Sequence, residues 1–299
     1  MQKENDIFHL KPLFSYNPLI MKLIIPSPAK INLSLWIKGK RKDGYHELIT
    51  VMHTINLYDV LYFLPSDRLE LHIEGNQTLP LGSSNLIIKA CRLFREKTGI
   101  NPKVKIKLEK NIPIGAGLGG GSSNAANTLK ALNTLYGNPL SKEELFELAE
   151  NLGSDVPFFI RGGLAIAWGR GEKLKFYSPA NFKILLIYPY FSCSTAEVYQ
   201  KLLQIKREIS VEDAERLIIS PLINGNFEEL KENLVNDLEK SESDCVKKVL
   251  KIKEELKELG IEKSLMSGSG SCVFSIDTGD LNTDLLKNKH WWFKFLSAI

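Results

Sequence analysis

A glycine-rich segment places the tightest constraint on how this chain can fold. Residues 113–132 read PIGAGLGGGSSNAANTLKAL, with five glycines within seven residues, then two serines, then the apolar spacing of an amphipathic helix. Glycine lets the main chain adopt left-handed conformations and approach a ligand closely. The start of a helix offers unpaired N–H groups and the positive end of the helix dipole. The segment therefore predicts a main-chain cradle for an anion such as a phosphate group.

The candidate contacts of this cradle are consecutive in the chain. They are Pro113, Ile114, Gly115, Ala116, Gly117, Leu118, Gly119, Gly120, Gly121, Ser122 and Ser123. A tight strand-to-helix turn needs only one or two glycines. Phosphate binding therefore explains the run better than a purely structural turn does.

The segment differs from three known types of phosphate loop in its residues or its context. A Walker A loop needs a lysine and a hydroxyl residue after its last glycine, whereas Gly120 is followed by Gly121 and Ser122. A protein-kinase loop is excluded because no HRD or DFG segment follows. The dinucleotide fingerprint GxGxxG is matched, but that loop should follow a continuously apolar parallel strand. The preceding KVKIKLEK alternates lysine with apolar residues, as a half-exposed antiparallel strand does, and LYGNPLS downstream has no carboxylate.

Length and composition favour two packed domains. A chain of 299 residues is too long for a typical single core, and 43% hydrophobic with 25% charged residues argues against wholesale disorder. We expect a poorly ordered N-terminal extension over residues 1–20, because clear patterning begins only after Met21. We expect an N-terminal domain carrying the glycine-rich loop over residues 21–177 and a C-terminal domain over residues 178–299.

The hydrophobic patterns predict strands mixed with helices, and therefore an α+β fold. Residues 22–37 alternate in their second half, with Ile31, Leu33, Leu35 and Ile37 on one face of a strand and Asn32, Ser34 and Trp36 on the other. Further strands are predicted at residues 48–57, 60–64, 69–73, 103–109 and 183–188 and at the C-terminal WWFKFLSAI.

Capping residues predict where the helices begin. Ser83 or Ser84 should open a helix that Gly99 closes, and Ser122 or Ser123 should open the helix after the glycine-rich loop. Further helices should begin at Ser141, Ser194 and Ser243. The C-terminal domain is expected to contain mostly helices.

Charge and cysteine content exclude several classes of protein. The net charge of +4 is spread along the chain and gives little support for nucleic-acid binding. The four cysteines are far apart, without CxxC or Cys/His spacing, which argues against structural zinc and against a disulfide framework and favours the cytoplasm. They are Cys91, Cys193, Cys245 and Cys272. No run of about 18 apolar residues predicts a membrane segment, and the N-terminus lacks the order of a signal peptide.

Three motifs, taken in order, resemble those of the GHMP kinases. PxxxGLGGGSS is similar to the phosphate loop of that family, SPAKINLSLWI at 27–37 to its N-terminal strand motif, and MSGSGSCVF at 266–274 to its C-terminal glycine-serine motif. The resemblance spans residues 22 to about 276. It implies a two-domain α+β fold with mixed or antiparallel sheets, packed helices and an active site in the inter-domain cleft. It also implies ATP as the co-substrate, with Mg²⁺ required by ATP chemistry but without an assigned protein ligand.

Two further segments resemble one branch of that family. KRKDGYHEL at 40–48 and GSDVPFF at 153–159 are similar to the GHMP kinases that phosphorylate a cytidine diphosphate sugar alcohol of non-mevalonate isoprenoid synthesis. The resemblance implies that Tyr45 and His46 hold the cytosine and that Asp155 takes the proton from the 2-hydroxyl of the methylerythritol unit. Without the resemblance, Asp155 would be a turn-forming aspartate.

Other site residues follow from the same resemblance. Lys30 is expected to keep Asp155 ionised and to attract the transferred phosphoryl group, and Asn32 shares its face of the strand as a substrate contact. Asn85 and Lys110 are candidate nucleotide contacts, although a helix-start residue and a surface lysine are the ordinary interpretations. Tyr199 falls where the family has a stacking aromatic.

The second aromatic position of the branch is occupied by Met52 in this chain. The thioether sulfur of a methionine is polarizable and can cover a ring face. We therefore expect cytosine to stack on Tyr199 and to be covered by Met52.

The residues leave other functions open. Another GHMP kinase, of the homoserine or mevalonate type, would share the loop. A nicotinamide-dependent oxidoreductase would need the loop to follow a central parallel strand. A non-catalytic anion-binding module would use the loop without turnover. The expected partners are ATP and a small cytidine diphosphate sugar alcohol, with neither nucleic acid nor membrane. The chain is expected to be a monomer or weak homodimer.

Overall fold

The structure is a computed structural model that describes residues 22–75, 79–276 and 284–299. The expected extension over residues 1–20 lies outside the described residues. The strands are β1 Leu23–Lys40, β2 His46–Pro65, β3 Glu70–Glu74, β4 Val104–Glu109, β5 Leu164–Gly169, β6 Lys173–Tyr177, β7 Lys183–Tyr188, β8 Leu265–Met266, β9 Val273–Ile276 and β10 Trp292–Ser297.

The helices lie between groups of these strands. They are α1 Leu86–Thr98, α2 Gly120–Leu135, α3 Lys142–Glu150, α4 Val156–Arg161, α5 Thr195–Gln200, α6 Val211–Ala214, α7 Ser220–Ile223, α8 Phe227–Asn233, α9 Asp244–Glu258 and α10 Asp284–Lys287. A π-helical turn, Glu215–Ile219, joins α6 to α7, and a 3₁₀ turn, Asp237–Lys240, precedes α9. The predicted α+β class is confirmed.

The first sheet is built around the long strand β2. One edge of β2 pairs with β1, and the other edge is shared by β5 near its start and β4 near its end. The sheet is antiparallel except where β3 joins β4 in parallel. Along β4 buried residues alternate with partly exposed ones, so the strand before the glycine-rich loop is the half-exposed strand that the sequence predicted. The two predicted strands at 48–57 and 60–64 are in fact the single strand β2.

A bulge in β1 changes which residues share a face. Leu33 has no Cα partner because the pairing steps from Asn32–Met52 directly to Ser34–Val51. A bulge inserts one residue and therefore reverses the alternation after it. The prediction that four aliphatic residues of β1 share one face is wrong: Ile31 and Trp36 pack in one core, and Leu35 packs in another.

The second sheet belongs to the C-terminal part of the chain. It has the order β10–β7–β9–β8 and is antiparallel throughout. The sequence predicted the C-terminal strand. It also predicted a C-terminal domain of mostly helices, whereas the structure has a four-stranded sheet there. Since the first sheet ends at Tyr177 and the second begins at Lys183, we propose the domain boundary near residue 178. Leu35 on β1 donates its N–H to Val235 at 2.8 Å, which joins the two parts.

Two helices begin one to four residues away from the predicted serines. Asn85, not Ser83 or Ser84, caps α1, because its side chain accepts from Ile87 N–H. The helix after the glycine-rich loop begins at Gly120, with Gly119 as its N-cap and no side-chain cap, so Ser122 and Ser123 lie within its first turn. The predicted caps Ser141, Ser194 and Ser243 are confirmed.

One cysteine pair contradicts the sequence interpretation. Cys193 and Cys245 form a disulfide with Cα atoms 5.6 Å apart, although 52 residues separate them in the chain. The bond joins the segment before α5 to the first turn of α9, a proximity that sequence spacing does not reveal. In the described part of the chain, no helix is both long and apolar enough to cross a membrane.

Candidate active site

The glycine-rich loop packs directly against the C-terminal glycine-serine segment. Ser267 Oγ donates to Gly117 O at 3.0 Å, and Cys272 N–H donates to Ala116 O at 3.1 Å. The segment before α5 adds a third contact, because Cys193 N–H donates to Gly115 O at 2.9 Å. Segments separated by some 70 to 150 residues along the chain therefore meet at one loop.

Three alternate glycines give this loop its shape. Gly115, Gly117 and Gly119 have φ values of 63°, 76° and 67°, in the left-handed region that other residues seldom adopt. Alternation of left-handed residues with right-handed ones turns successive N–H groups toward the same side and forms an anion-binding concavity. The loop then leads into α2, whose N-terminus adds the positive end of its dipole. This geometry suits an anion such as a phosphate group.

The loop is also bounded by side chains from the N-terminal domain. A Cβ atom on Gly119 would lie 2.9 Å from the Phe159 ring and 3.1 Å from Lys30 Cγ. Lys30 N–H donates to Leu118 O at 3.0 Å. The first strand motif, the phosphate loop and α4 therefore converge around Lys30.

Lys30 and Asp155 form an ion pair beside the loop. Lys30 Nζ lies 3.5 Å from Asp155 Oδ2, and the side chain of Lys30 is 4% exposed whereas that of Asp155 is 39% exposed. Asp155 is the N-cap residue of α4, but its side chain makes no capping hydrogen bond. The carboxylate is therefore not bound to its own turn and faces solvent beside a buried cation.

Asn32 holds the lysine in place. Lys30 Nζ donates to Asn32 Oδ1, and Asn32 Nδ2 donates to Thr50 Oγ1 at 2.8 Å. A Cβ on Gly268 would lie 3.2 Å from Asn32 Oδ1 and 3.3 Å from Lys30 Nζ, so the glycine-serine segment covers this pair. Asn32 is buried and acts on Lys30 rather than lying open to a ligand.

His46 and Tyr199 form an aromatic pair. Their ring centroids are 5.3 Å apart with planes tilted by 37°. Burial raises the pKa of the Tyr199 phenol, and the charge of Asp155 raises that pKa further. Burial also lowers the pKa of His46, helped by the charge of Lys40, so the imidazole stays neutral at pH 7. A neutral imidazole has one donor and one acceptor nitrogen, and both suit a nucleobase edge.

Tyr45 lies at the rim of the same region. Its side chain is exposed, and the Arg170 guanidinium carbon lies 5.3 Å from its ring centroid. Tyr45 N–H donates to Asp43 Oδ1 at 3.1 Å, which fixes the turn that carries the ring. The expectation for Met52 is wrong: it is 1% exposed and packs in the core, so its sulfur is not available to a ring from solvent.

The two candidate nucleotide contacts outside the loop have protein partners. Asn85 caps α1, and its amide donates to Pro80 O at 2.8 Å. Lys110 forms a buried ion pair with Asp59, with Nζ to Oδ2 at 2.8 Å. Neither side chain is on the surface, contrary to the ordinary interpretation of Lys110 as a surface lysine.

Sequence reasoning missed Thr195, Arg170 and Asp59, which the fold brings to the site. Thr195 Oγ1 and Ser269 Oγ lie 2.8 Å apart and join α5 to the glycine-serine segment. Arg170 reaches the site because Gly169 on β5 pairs with Leu48 on β2. Asp59 accepts hydrogen bonds from the main-chain N–H groups of Asn111 and Ile112, directly before the loop. The local sequence at these positions gave no signal, since each acts through partners distant in the chain.

No dedicated metal cage is visible in the parts of the chain that the structure describes. No group of three or more His, Cys, Asp or Glu side chains lies close enough together there to hold an ion. Mg²⁺ commonly keeps several waters and uses only one or two carboxylates together with substrate phosphates. The partly exposed Asp155 could supply such a carboxylate to a phosphate-bound ion.

The sequence matches two family models. Residues 85–163 match the GHMP kinases N terminal domain, and residues 218–285 match the GHMP kinases C terminal domain. The first range contains the phosphate loop and Asp155, and the second contains the glycine-serine segment.

Curated relatives match over most of their length. A 4-diphosphocytidyl-2-C-methyl-D-erythritol kinase from Persephonella marina is 40% identical over 270 residues, which cover 90% of this chain and 96% of the relative. The enzyme of the same name from Bacillus cereus is 40% identical over 259 residues, with 86% and 88% covered.

Solved structures match the same architecture. A crystal structure of a 4-(cytidine 5'-diphospho)-2C-methyl-D-erythritol kinase superposes with a TM-score of 0.75 at 34% identity, covering 92% of this chain and 99% of that one. A homoserine kinase from Cytophaga hutchinsonii gives a TM-score of 0.69 at 18% identity, covering 96% and 97%. The second likeness concerns the fold alone.

Proposed function

Because the chain belongs to the 4-diphosphocytidyl-2-C-methyl-D-erythritol kinases, a family of GHMP kinases, we propose that it uses ATP to phosphorylate the 2-hydroxyl of 4-diphosphocytidyl-2-C-methyl-D-erythritol in the non-mevalonate isoprenoid pathway. The observation that carries this proposal is the Lys30–Asp155 pair beside a phosphate loop. The following roles belong to the same proposal.

The glycine-rich loop binds the ATP phosphates through its main chain. Phosphoryl transfer asks a protein mainly to align the reactants and to offset developing negative charge. The left-handed glycines and the N-terminus of α2 supply N–H groups and a positive dipole without a mobile side chain. Bound Mg²⁺ would add charge neutralisation between the phosphates, and we assign it no dedicated protein ligand.

Asp155 accepts the proton of the attacking hydroxyl. Its carboxylate makes no capping bond and is partly exposed, so a substrate can reach it. Lys30 forms an ion pair with the carboxylate and lies close enough to the loop to attract the transferred phosphoryl group. Asn32 orients the Lys30 ammonium.

The cytidyl end of the substrate binds between Tyr45 and the His46–Tyr199 pair. Stacking of a base on an aromatic side chain contributes about 1–3 kcal/mol. The neutral His46 ring offers the base edge a donor or an acceptor.

A turnover assay tests the function directly. The protein should phosphorylate 4-diphosphocytidyl-2-C-methyl-D-erythritol with ATP and should prefer it to homoserine and mevalonate. Preference for either of those alcohols would favour another GHMP kinase, and a fluorescence change on NADH titration would favour an oxidoreductase.

Asp155→Asn separates an enzyme from an anion-binding module. We expect kcat to fall by about 10²- to 10⁴-fold, the usual contribution of a general base, while ATP binding is retained. Asp67→Asn, in the exposed turn between β2 and β3, is the matched control and should leave kcat unchanged. Unchanged turnover in Asp155→Asn would refute the base assignment.

A further inference from the structure

A buried carboxylate lies beneath the phosphate loop and is used by no step above. Asp59 is 0% exposed, although it sits in the middle of strand β2. Its Oδ1 accepts from Asn111 N–H at 2.7 Å and from Ile112 N–H at 2.8 Å. Its Oδ2 accepts from Lys110 Nζ at 2.8 Å and from Asn124 Nδ2 at 2.9 Å. Four donors therefore converge on one carboxylate.

These donors lie on both sides of the loop. Residues 110–112 directly precede Pro113, where the loop begins, and Asn124 directly follows Ser123, where it ends. One side chain from a separate strand thus fixes the spacing between the two ends of the loop. The direction of the loop N–H groups depends on that spacing.

The Lys110 ammonium is buried and bound to acceptors of the protein itself. An ammonium group has three N–H donors. Lys110 Nζ contacts both oxygens of Asp59, at 3.1 and 2.8 Å, and also donates to Ile112 O. Burial lowers the pKa of Lys110, and the charge of Asp59 opposes that shift. The two charges are buried together and offset each other.

The first turn of α2 rests on this pair. A Cβ atom on Gly120 would lie 3.2 Å from Lys110 Nζ and 3.0 Å from Ile112 Cγ2. The ion pair is therefore immediately behind the helix N-terminus that faces the phosphates. An uncompensated negative charge at Asp59 would partly cancel the positive potential that the N-terminus of α2 offers to a phosphate group.

We propose that Asp59 is a positioning residue for the phosphate loop, and that Lys110 promotes ATP binding by neutralising Asp59 rather than by contacting phosphate. The proposal rests on the proposed function only in naming ATP as the ligand. It replaces the sequence-based expectation that Lys110 binds the nucleotide directly.

A double-mutant cycle distinguishes the two roles of Lys110. The Kd for ATP with Mg²⁺ is measured by calorimetry, without the alcohol substrate, for the wild type, Asp59→Asn, Lys110→Met and the double variant. Lys110→Met leaves Asp59 unpaired, and we expect the Kd to rise about tenfold or more. Adding Asp59→Asn removes the buried charge and should lower the Kd again by several-fold. A double variant that binds ATP as weakly as Lys110→Met, or more weakly, would overturn the proposal.

A second pair of variants avoids breaking the ion pair. Asn124→Ala removes one loop tether and leaves both charges in place, and Asn133→Ala removes a buried side chain that bonds Leu140 at the far end of the same helix. We expect Asn124→Ala to raise the Kd for ATP about three- to tenfold, with the KM for the cytidyl substrate unchanged. Asn133→Ala should lower the melting temperature as much as Asn124→Ala does, but should leave the Kd for ATP unchanged. Equal Kd values for these two variants would overturn the tether.

The outcome is separable from that of the proposed function. A wild-type protein that binds ATP but does not phosphorylate the cytidyl substrate would sink the proposed function and leave both Kd comparisons decisive. A wild-type protein that does not bind ATP would overturn both proposals.

Discussion

Gly117→Ala is the substitution with the sharpest structural prediction. Gly117 has a φ of 76°, and a Cβ atom added there would lie 1.8 Å from Ser267 O, 2.8 Å from Ser267 C and 3.1 Å from Gly270 N. All three of these contacts are main-chain atoms, which cannot rotate away. The substitution therefore has to separate the phosphate loop from the glycine-serine segment.

The magnitude follows from two contributions. A residue with a Cβ in the left-handed region costs about 1–2 kcal/mol, and inserting a carbon atom into a packed contact adds about 1–3 kcal/mol. Gly137→Ala provides the matched control, because Gly137 has a φ of 82° and no heavy atom within 4 Å of the added Cβ. Gly137→Ala should lose only the backbone contribution, so the difference between the variants isolates the close approach.

Urea unfolding and steady-state kinetics measure the two consequences. Gly117→Ala should be less stable than Gly137→Ala by about 1–3 kcal/mol and should raise the KM for ATP, since the loop amides are displaced. Gly137→Ala should keep the wild-type KM. Equal losses of stability together with an unchanged KM for ATP in Gly117→Ala would refute the claim that this contact shapes the cradle.

Two other perturbations test the base site and a buried histidine. Arg170→Met removes the cation over the Tyr45 ring, and an exposed cation–π contact is worth about 0.5–1 kcal/mol. The KM for the cytidyl substrate should therefore rise about two- to fivefold, while the KM for ATP stays constant. Equal rises in both KM values would contradict this role of Arg170. Burial lowers the pKa of His53 to about 4, so as the pH falls below about 6.5 the unfolded state gains the proton first, and stability is lost down to about pH 4. Because of His53, the free energy of unfolding measured with urea should be about 2 kcal/mol lower at pH 5 than at pH 7. His53→Gln should abolish this difference, whereas His72→Gln, at an exposed histidine, should retain it. Equal pH dependence in the wild type and His53→Gln would contradict the assignment to His53.

The sequence predicted the parts of the site that local chemistry determines. Clustered glycines permit left-handed main-chain conformations wherever they occur, so a tightly wound loop could be predicted here without knowing its neighbours. The alternation of KVKIKLEK likewise indicated its half-exposed strand, and that strand separated this loop from a dinucleotide fold. The roles assigned to Lys30 and Asp155 needed the resemblance, because a lysine on a strand and an aspartate in a turn are common.

Features that depend on distant partners were missed. The predicted strands at 48–57 and 60–64 left out Tyr58 and Asp59, yet Asp59 lies within β2 and accepts hydrogen bonds from donors 51 to 65 residues away. The bulge at Leu33 and the Cys193–Cys245 bond depend in the same way on contacts outside their own segments. Met52 was misplaced for a related reason, since its strand position does not reveal which face the core covers.

The arrangement of charges explains how a neutral-looking site can attract a triphosphate. Each of the two carboxylates nearest the loop has a lysine partner: Asp59 with buried Lys110, and Asp155 with buried Lys30. Paired charges contribute little net potential, so the positive end of α2 and the loop N–H groups dominate the field at the cradle. The two pairs differ in exposure, however, because Asp59 is fully buried whereas Asp155 is 39% exposed. Asp155 is therefore accessible to a substrate, while the Asp59–Lys110 pair is closed to solvent, as expected of a pair that holds the loop in its binding geometry.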